Sequence, residues 1–395
     1  MQRIYFDHNA TTPVDPAVLE AMLPFLSGDF GNASSIHTFG QRARAAVETA
    51  REQVAALIRA HPQEIVFTSG GTESDNQAIF GVAQALAPTR PGAHVITSSI
   101  EHEAVLNSCQ ALGETGIAVT YLPPRRDGAI DPKVQREAVR RETVLISVMY
   151  ANNELGTIQN IEMLGQVARE HNIVFHTDAV QAVGKIPVDV SSLPVDLLAI
   201  SGHKLYAPKG IGALYIKRAT PLRQLLYGGR HQRGFRPGTE NVAGIVALGK
   251  AAELARLRLN EDSIRMAALR DRLEQGLRTR IPDCRVNGAG AERRLPNTSN
   301  ITFAGIEGEA LVIALDLRGL ACSTGAACSS GAVEPSHVLT AIGLPAAEAR
   351  ATLRFSLGRP TTADEIDAAL EMIPAAVSQL RALSPTYPRE SSAHR

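Results

Sequence analysis

The chain has 395 residues, 40 basic against 40 acidic side chains, 44% hydrophobic residues and four cysteines. That length suits one large α/β unit or two domains, and the balanced charge removes the electrostatic argument for nucleic acid or an anionic membrane as partner. Four cysteines are too few for a disulfide framework, no signal-peptide pattern opens the chain, and no apolar run reaches membrane length, so the expectation is a soluble protein of the reducing cytosol.

Helical spacing over Gln41–Arg59 comes first. Short apolar runs then each end in a polar cluster. Glu64–Thr68 leads into Ser69-Gly70-Gly71-Thr72, and Ala93–Thr97 leads into Ser98-Ser99-Ile100-Glu101-His102. Val144–Met149 leads into Asn152-Asn153-Glu154, Asn172–His176 into Thr177-Asp178, and Asp196–Ile200 into Ser201-Gly202-His203-Lys204. Continuous rather than alternating runs predict strands buried on both faces of a largely parallel sheet. Ligands of such sheets sit beyond the carboxyl ends of the strands, so the five clusters are expected to face one crevice. Lys209–Gly212 predicts a tight turn into a strand at Ala213–Ile216. From Asn241 to Arg258 an Ala/Leu-rich helix leads into a second, charge-speckled helix ending near Arg280. Strands at Cys284–Val286 and Asn300–Phe303, a helix at Gly308–Leu317, a Gly/Ser/Ala/Cys loop and a final helix follow. Residues 1–15 read as an N-terminal segment, 16–261 as a large domain, 262–383 as a smaller C-terminal α/β domain that the N-terminal segment joins, and 384–395 as a disordered tail.

Lys204 follows a buried strand, so its amine faces the crevice; desolvation there favours the neutral form a Schiff base needs. Taken alone it reads as a snorkelling surface lysine, the fate of most lysines. Asp178 ends the neighbouring strand, where a carboxylate could hold a protonated pyridine nitrogen or simply cap a helix. The Gly70-Gly71-Thr72 turn before a helix suits a phosphate, although Glu73 and Asp75 suit an ordinary capped turn as well. His102, one strand along, could lie over a planar ring and shuttle protons, or be a satisfied structural histidine. Cys328 lies among small residues and glycines, the composition of a segment that packs no rigid core, which predicts an exposed and reactive thiol. Cys109 and Cys284 sit in apolar company, as core cysteines do. A zinc site from Cys322, Cys328 and His337 fits no standard spacing, and no metal is expected.

Together these residues resemble the cysteine desulfurases, pyridoxal-phosphate enzymes of the class V aminotransferase family. The likeness runs from Ile4 to about Leu380. It is carried by Asp7-His8-Asn9-Ala10-Thr11-Thr12-Pro13, Ser69-Gly70-Gly71-Thr72-Glu73-Ser74-Asp75-Asn76, Glu101-His102-Glu103 and Asn152-Asn153-Glu154-Leu155-Gly156. Further carriers are His176-Thr177-Asp178-Ala179-Val180-Gln181, Ser201-Gly202-His203-Lys204, Arg236-Pro237-Gly238-Thr239-Glu240-Asn241, the Cys328 loop and Leu353-Arg354-Phe355-Ser356. The resemblance implies fold type I: a large cofactor-binding domain with a mostly parallel seven-stranded sheet flanked by helices, and a smaller C-terminal α/β domain carrying the cysteine loop. It also implies pyridoxal 5′-phosphate as cofactor and a role at each matching position. Lys204 would hold the cofactor aldehyde and move the substrate α-proton, Asp178 would pair with the pyridine nitrogen, and His102 would stack on the ring. Gln181 and Asn153 would bond the phenolic oxygen. Gly71, Thr72, Ser201 and His203 would hold the phosphate, with Thr239 reaching in from the other subunit of a homodimer. Arg354, with Asn153, would clamp the carboxylate of L-cysteine. Cys328 would take the sulfur as a persulfide, release alanine, and pass the sulfur to an iron–sulfur scaffold or another acceptor. Two features depart from the pattern. Cys322 is an extra cysteine of the loop that could pair with Cys328 on oxidation, and the tail carries nothing that matches a scaffold-docking terminus. Competing expectations are a selenocysteine lyase or an aminotransferase of the same fold, a non-catalytic partner in sulfur assembly, and a cofactor-free nucleotide-binding module.

Overall fold

The computed structural model describes residues 3–324, 335–384 and 387. Its strands, in chain order, are β1 (Ile4–Tyr5), β2 (Ile65–Thr68), β3 (His94–Ser98), β4 (Ala118–Leu122), β5 (Thr143–Ser147) and β6 (Val174–Asp178). They continue with β7 (Leu197–Ser201), β8 (Gly212–Ile216), β9 (Cys284–Asn287), β10 (Thr298–Phe303), β11 (Leu320–Ala321) and β12 (Thr352–Ser356). A seven-stranded sheet runs in the order β2-β8-β7-β6-β5-β3-β4. Within it β8 opposes both neighbours, and every other pair is parallel.

The apolar runs became strands because both faces of this sheet are covered. Successive side chains of a strand point to opposite faces, and here they feed two different cores. Ile65, Phe67, Ile96, Ile146, Leu198 and Tyr215 pack in one, and Val66, Val95, Leu145, Leu197 and Leu214 pack in the other. β4 lies at the sheet edge with Ala118 and Tyr121 exposed and only Leu122 fully buried.

A third core forms from Ile4 and Phe6 together with Leu273, Leu277, Phe303, Leu353, Phe355 and Ile373. It lies against the antiparallel sheet β12-β10-β9 and the parallel pair β1-β11. The two helices expected between Asn241 and Arg280 are one helix, Val242–Arg280, of 39 residues. The polar run Asn260-Glu261-Asp262-Ser263 holds neither Gly nor Pro, and on an exposed helical stretch polarity alone breaks nothing. The first part of this helix packs in the large core through Ala247 and Leu248, and the last part packs in the third through Leu273 and Leu277. The boundary expected at residue 262 therefore falls inside a continuous helix. Of the expected tail, residues 385–386 and 388–395 lie outside the described residues. Among the described residues no helix is long and apolar enough to cross a membrane.

Candidate active site

A cavity of about 730 Å³ opens beyond the carboxyl ends of the parallel strands, and all five polar clusters reach it. Gly71 and Thr72 come from the loop after β2, Glu101 and His102 from the loop after β3, and Asn153 and Glu154 from the loop after β5. Asp178 and Gln181 follow β6; Ser201, His203 and Lys204 follow β7. Arg354, on β12 of the smaller sheet, closes the opposite wall.

The Lys204 amine is held between the carbonyl oxygens of Asn9 and Ala10, each 2.5 Å away. Burial first, and then the Arg354 guanidinium, bring its pKa down to about 8, while Asp7 and Asp178 pull the other way. Asp178 is buried, and one of its oxygens accepts the Val180 N–H at 2.9 Å. Burial pushes its carboxyl up, opposed by His102, the Val180 N–H and Lys204. Two more buried acids stand close. Asp75 is raised by burial and by Asp178 and Glu101; Glu101 is raised by burial to about 8. A carboxylate so crowded is stabilised by a cation set against it.

His102 caps the helix Glu103–Glu114, its Nδ1 accepting the Ala104 N–H at 3.1 Å. That bears out the structural role of a histidine at this position, and His102 also lines the cavity. His203 shares Nδ1 with the Thr11 hydroxyl at 3.1 Å, and burial first, with Lys204, Lys209 and Lys185, lowers its pKa to about 4. It is a neutral group at physiological pH. The helix Gly71–Leu86 begins at Gly70 with no side-chain cap. Every other helix of ten or more residues among those described is capped by a side chain: His37, His102, Asn160, Asn241 or Thr362. A Cβ at Gly71 would lie 2.9 Å from Val180 Cγ2, so glycine there keeps the floor of the cavity low. An open helix N-terminus beside two further donors suits a phosphate. Arg354 donates to Asp7 Oδ1 at 2.8 Å and to the Asn153 carbonyl at 3.1 Å, while its buried Nε finds no partner among the described residues. Each terminal nitrogen of Arg354 keeps a second N–H, and a carboxylate ligand in the cavity could accept it.

Thr239 does not line this cavity; it lines a separate, smaller pocket with Gly210, Gln232 and Arg236. Cys328 lies outside the described residues, but Thr324 and Pro335, on either side of its stretch, both line the cavity. Ser336 donates to Glu154 at 2.6 Å and His337 Nε2 meets the Glu101 carbonyl at 3.0 Å, which fixes the returning chain at the rim. Cys322 corrects the expectation of an extra loop cysteine. It is buried in the third core, and burial drives its thiol far above the ordinary value, so it is a poor partner for thiol exchange. Sequence reasoning gave no role to Asp7, Asn9 or Glu154. Asn9 and Asp7 belong to a motif singled out near the start of the chain, but their partners lie 144 or more residues away.

The aminotransferase class-V family matches residues 4–369. The chain is 50% identical over 384 residues to cysteine desulfurase IscS of Dictyoglomus turgidum, covering 97% of each. It is 52% identical over 385 residues to cysteine desulfurase 1 of Trichormus variabilis, covering 98% of this chain and 95% of that one. The solved structure of a NifS-like protein superposes with a TM-score of 0.89 at 38% identity, covering 96% of this chain and 100% of the other. With a matching region that spans both the cavity and the smaller sheet, the chain belongs to the class-V aminotransferase family.

Proposed function

We infer that the protein is a pyridoxal-phosphate-dependent cysteine desulfurase, which takes the sulfur of L-cysteine and releases L-alanine. The observation that carries this reading is the convergence of a desolvated lysine and a buried carboxylate, Lys204 and Asp178, on one cavity. The residues present fit the cofactor. The open start of the helix Gly71–Leu86, with Thr72, Ser201 and His203, suits its phosphate. Asp178 suits its ring nitrogen, Gln181 and Asn153 its phenolic oxygen, His102 its face and Lys204 its aldehyde. When bound, the cofactor supplies an electron sink for negative charge developing on the substrate.

The chain's own residues supply the rest. Arg354, its fork half-filled, binds the substrate carboxylate and so orients the amino acid. With a pKa near 8, the Lys204 amine can hold or release a proton near neutral pH. The Cys328 thiolate attacks the substrate sulfur: a new S–S bond forms as the Cβ–S bond breaks, and the electron pair left on carbon is protonated to give alanine. The persulfide sulfur then passes to a thiol acceptor, such as an iron–sulfur scaffold protein, and a reducing cytosol suits a cysteine that must return to the thiol. A second copy of the chain would bring Thr239 to the phosphate, which fits that residue's absence from the lining of its own cavity.

The test is one preparation and three readings. Loaded protein should be yellow, should retain the cofactor on the Lys204 peptide after borohydride, and on incubation with L-cysteine should release alanine and add one sulfur to Cys328. In Cys328→Ser the colour stays and the sulfur adduct is lost. A protein that stays colourless with added pyridoxal phosphate overturns the reading. Alanine release from selenocysteine but not from cysteine would assign it to the lyases.

A further inference from the structure

Lys185 is a buried amine that this chemistry leaves unused. It is 7% exposed and lies four residues after Gln181, and its Nζ donates to Gln181 Oε1 and, at 3.1 Å, to Asn9 Oδ1. Taking an amine out of water is costly unless hydrogen bonds offset the loss. The same contacts settle the orientation of the Gln181 amide. Its Nε2 donates to the Asn9 carbonyl at 3.1 Å while its Oε1 receives Lys185. Turned over, the amide would set its oxygen against the Asn9 carbonyl and its NH₂ against the donating amine. An amide nitrogen carries two protons. With one committed to Asn9, the other is left for the cavity that Gln181 lines.

We propose that Lys185 is a positioning residue, which through Gln181 Oε1 holds that amide so that it donates to the ring oxygen of the bound cofactor. The inference rests on the cofactor reading above. Asn9 secures the other end of the device, since its Oδ1 also accepts from Asn297 Nδ2 at 3.0 Å and its carbonyl also receives Lys204. The charged and titratable groups facing Lys185 are Lys204, Arg354, His8 and His203. Burial first, then Lys204 and Arg354, holds the Lys185 amine well below the ordinary lysine value. A neutral amine still has two protons for its two acceptors, so both hydrogen bonds survive loss of the charge, and the Asn9 carbonyl still admits only the NH₂ end of the amide.

Lys185→Met and Lys185→Leu keep apolar bulk and remove the donors, and Gln181→Leu removes the amide. Two lysine variants are used so that a folding failure in one leaves the other to decide. The full chain is loaded with pyridoxal phosphate, and the pH midpoint of its visible absorption is measured. The ring oxygen is the more negative in the deprotonated chromophore, so losing a donor to it raises the midpoint, by about half to one pH unit in each single variant. The double variant Lys185→Met with Gln181→Leu shifts no further, because both changes remove the same donor. Unmoved midpoints in the lysine variants, or additive shifts in the double variant as a merely structural lysine would give, overturn the proposal. A colourless wild-type protein overturns the cofactor reading along with it; a coloured one with unmoved lysine variants overturns the proposal alone.

Discussion

The Lys204 amine is set apart from other lysines by where it is rather than by what it is. Burial and the nearby Arg354 bring its amine to about 8, so below that pH most of it is protonated and cannot attack an aldehyde. The cofactor-free protein should therefore capture pyridoxal phosphate faster as pH rises through 8 and level off above it, followed by the growth of visible absorption. A rate flat between pH 6.5 and 9 would contradict the depressed value. Lys204 and Asp178 could be picked out from residue type and position after an apolar run. Asn9 and Lys185 could not, because their importance consists of contacts with Gln181, Lys204 and Asn297, which only folding brings together.

At the scale of the element, the helix Gly71–Leu86 differs from its neighbours in lacking a side-chain cap. That absence is legible as Gly70-Gly71 in place of Ser, Asp or Asn, although the same glycines suit any tight turn. Thr72→Asp separates the two readings. A carboxylate in the first turn stabilises the helix by about 0.5 kcal/mol, but it repels a bound phosphate. The cofactor-free variant should melt slightly higher than wild type, while its affinity for pyridoxal phosphate, read by equilibrium dialysis, falls about tenfold or more. Equal affinity would remove the phosphate from this helix. Ser336 gives a second case: its hydroxyl satisfies the buried Glu154 and accepts the Leu339 N–H at the start of the helix His337–Ala341. Ser336→Ala should cost about 1–3 kcal/mol by urea unfolding, since it orphans a buried carboxyl and removes a cap.

At the scale of the molecule, the cavity is a joint product of two sheets. The seven-stranded sheet brings the five polar clusters to one edge, and the smaller sheet presents Arg354 to the same cavity, tied by Asp7 and by the Asn153 carbonyl. The absence of Thr239 from the lining of its own cavity leads to the prediction that the protein sediments as a dimer and that Thr239→Val loses pyridoxal phosphate about tenfold more readily. A monomer at micromolar concentration would remove the shared site. Sequence alone determined the alternation of apolar runs and polar clusters, because strands covered on both faces must be apolar throughout and their ends must turn through polar residues. Edge strand β4 was missed because it is only partly covered, with Ala118 and Tyr121 exposed, and the polar run within Val242–Arg280 misled the reading because helices tolerate polarity where no Gly or Pro intervenes. Tertiary structure alone decided which clusters meet, that Cys322 belongs to a core, and that Lys185 stands behind the cavity wall on which Asn9 and Gln181 lie. Those facts depend on distances between residues far apart in the chain, and such distances are set by packing, not by any local pattern of side chains.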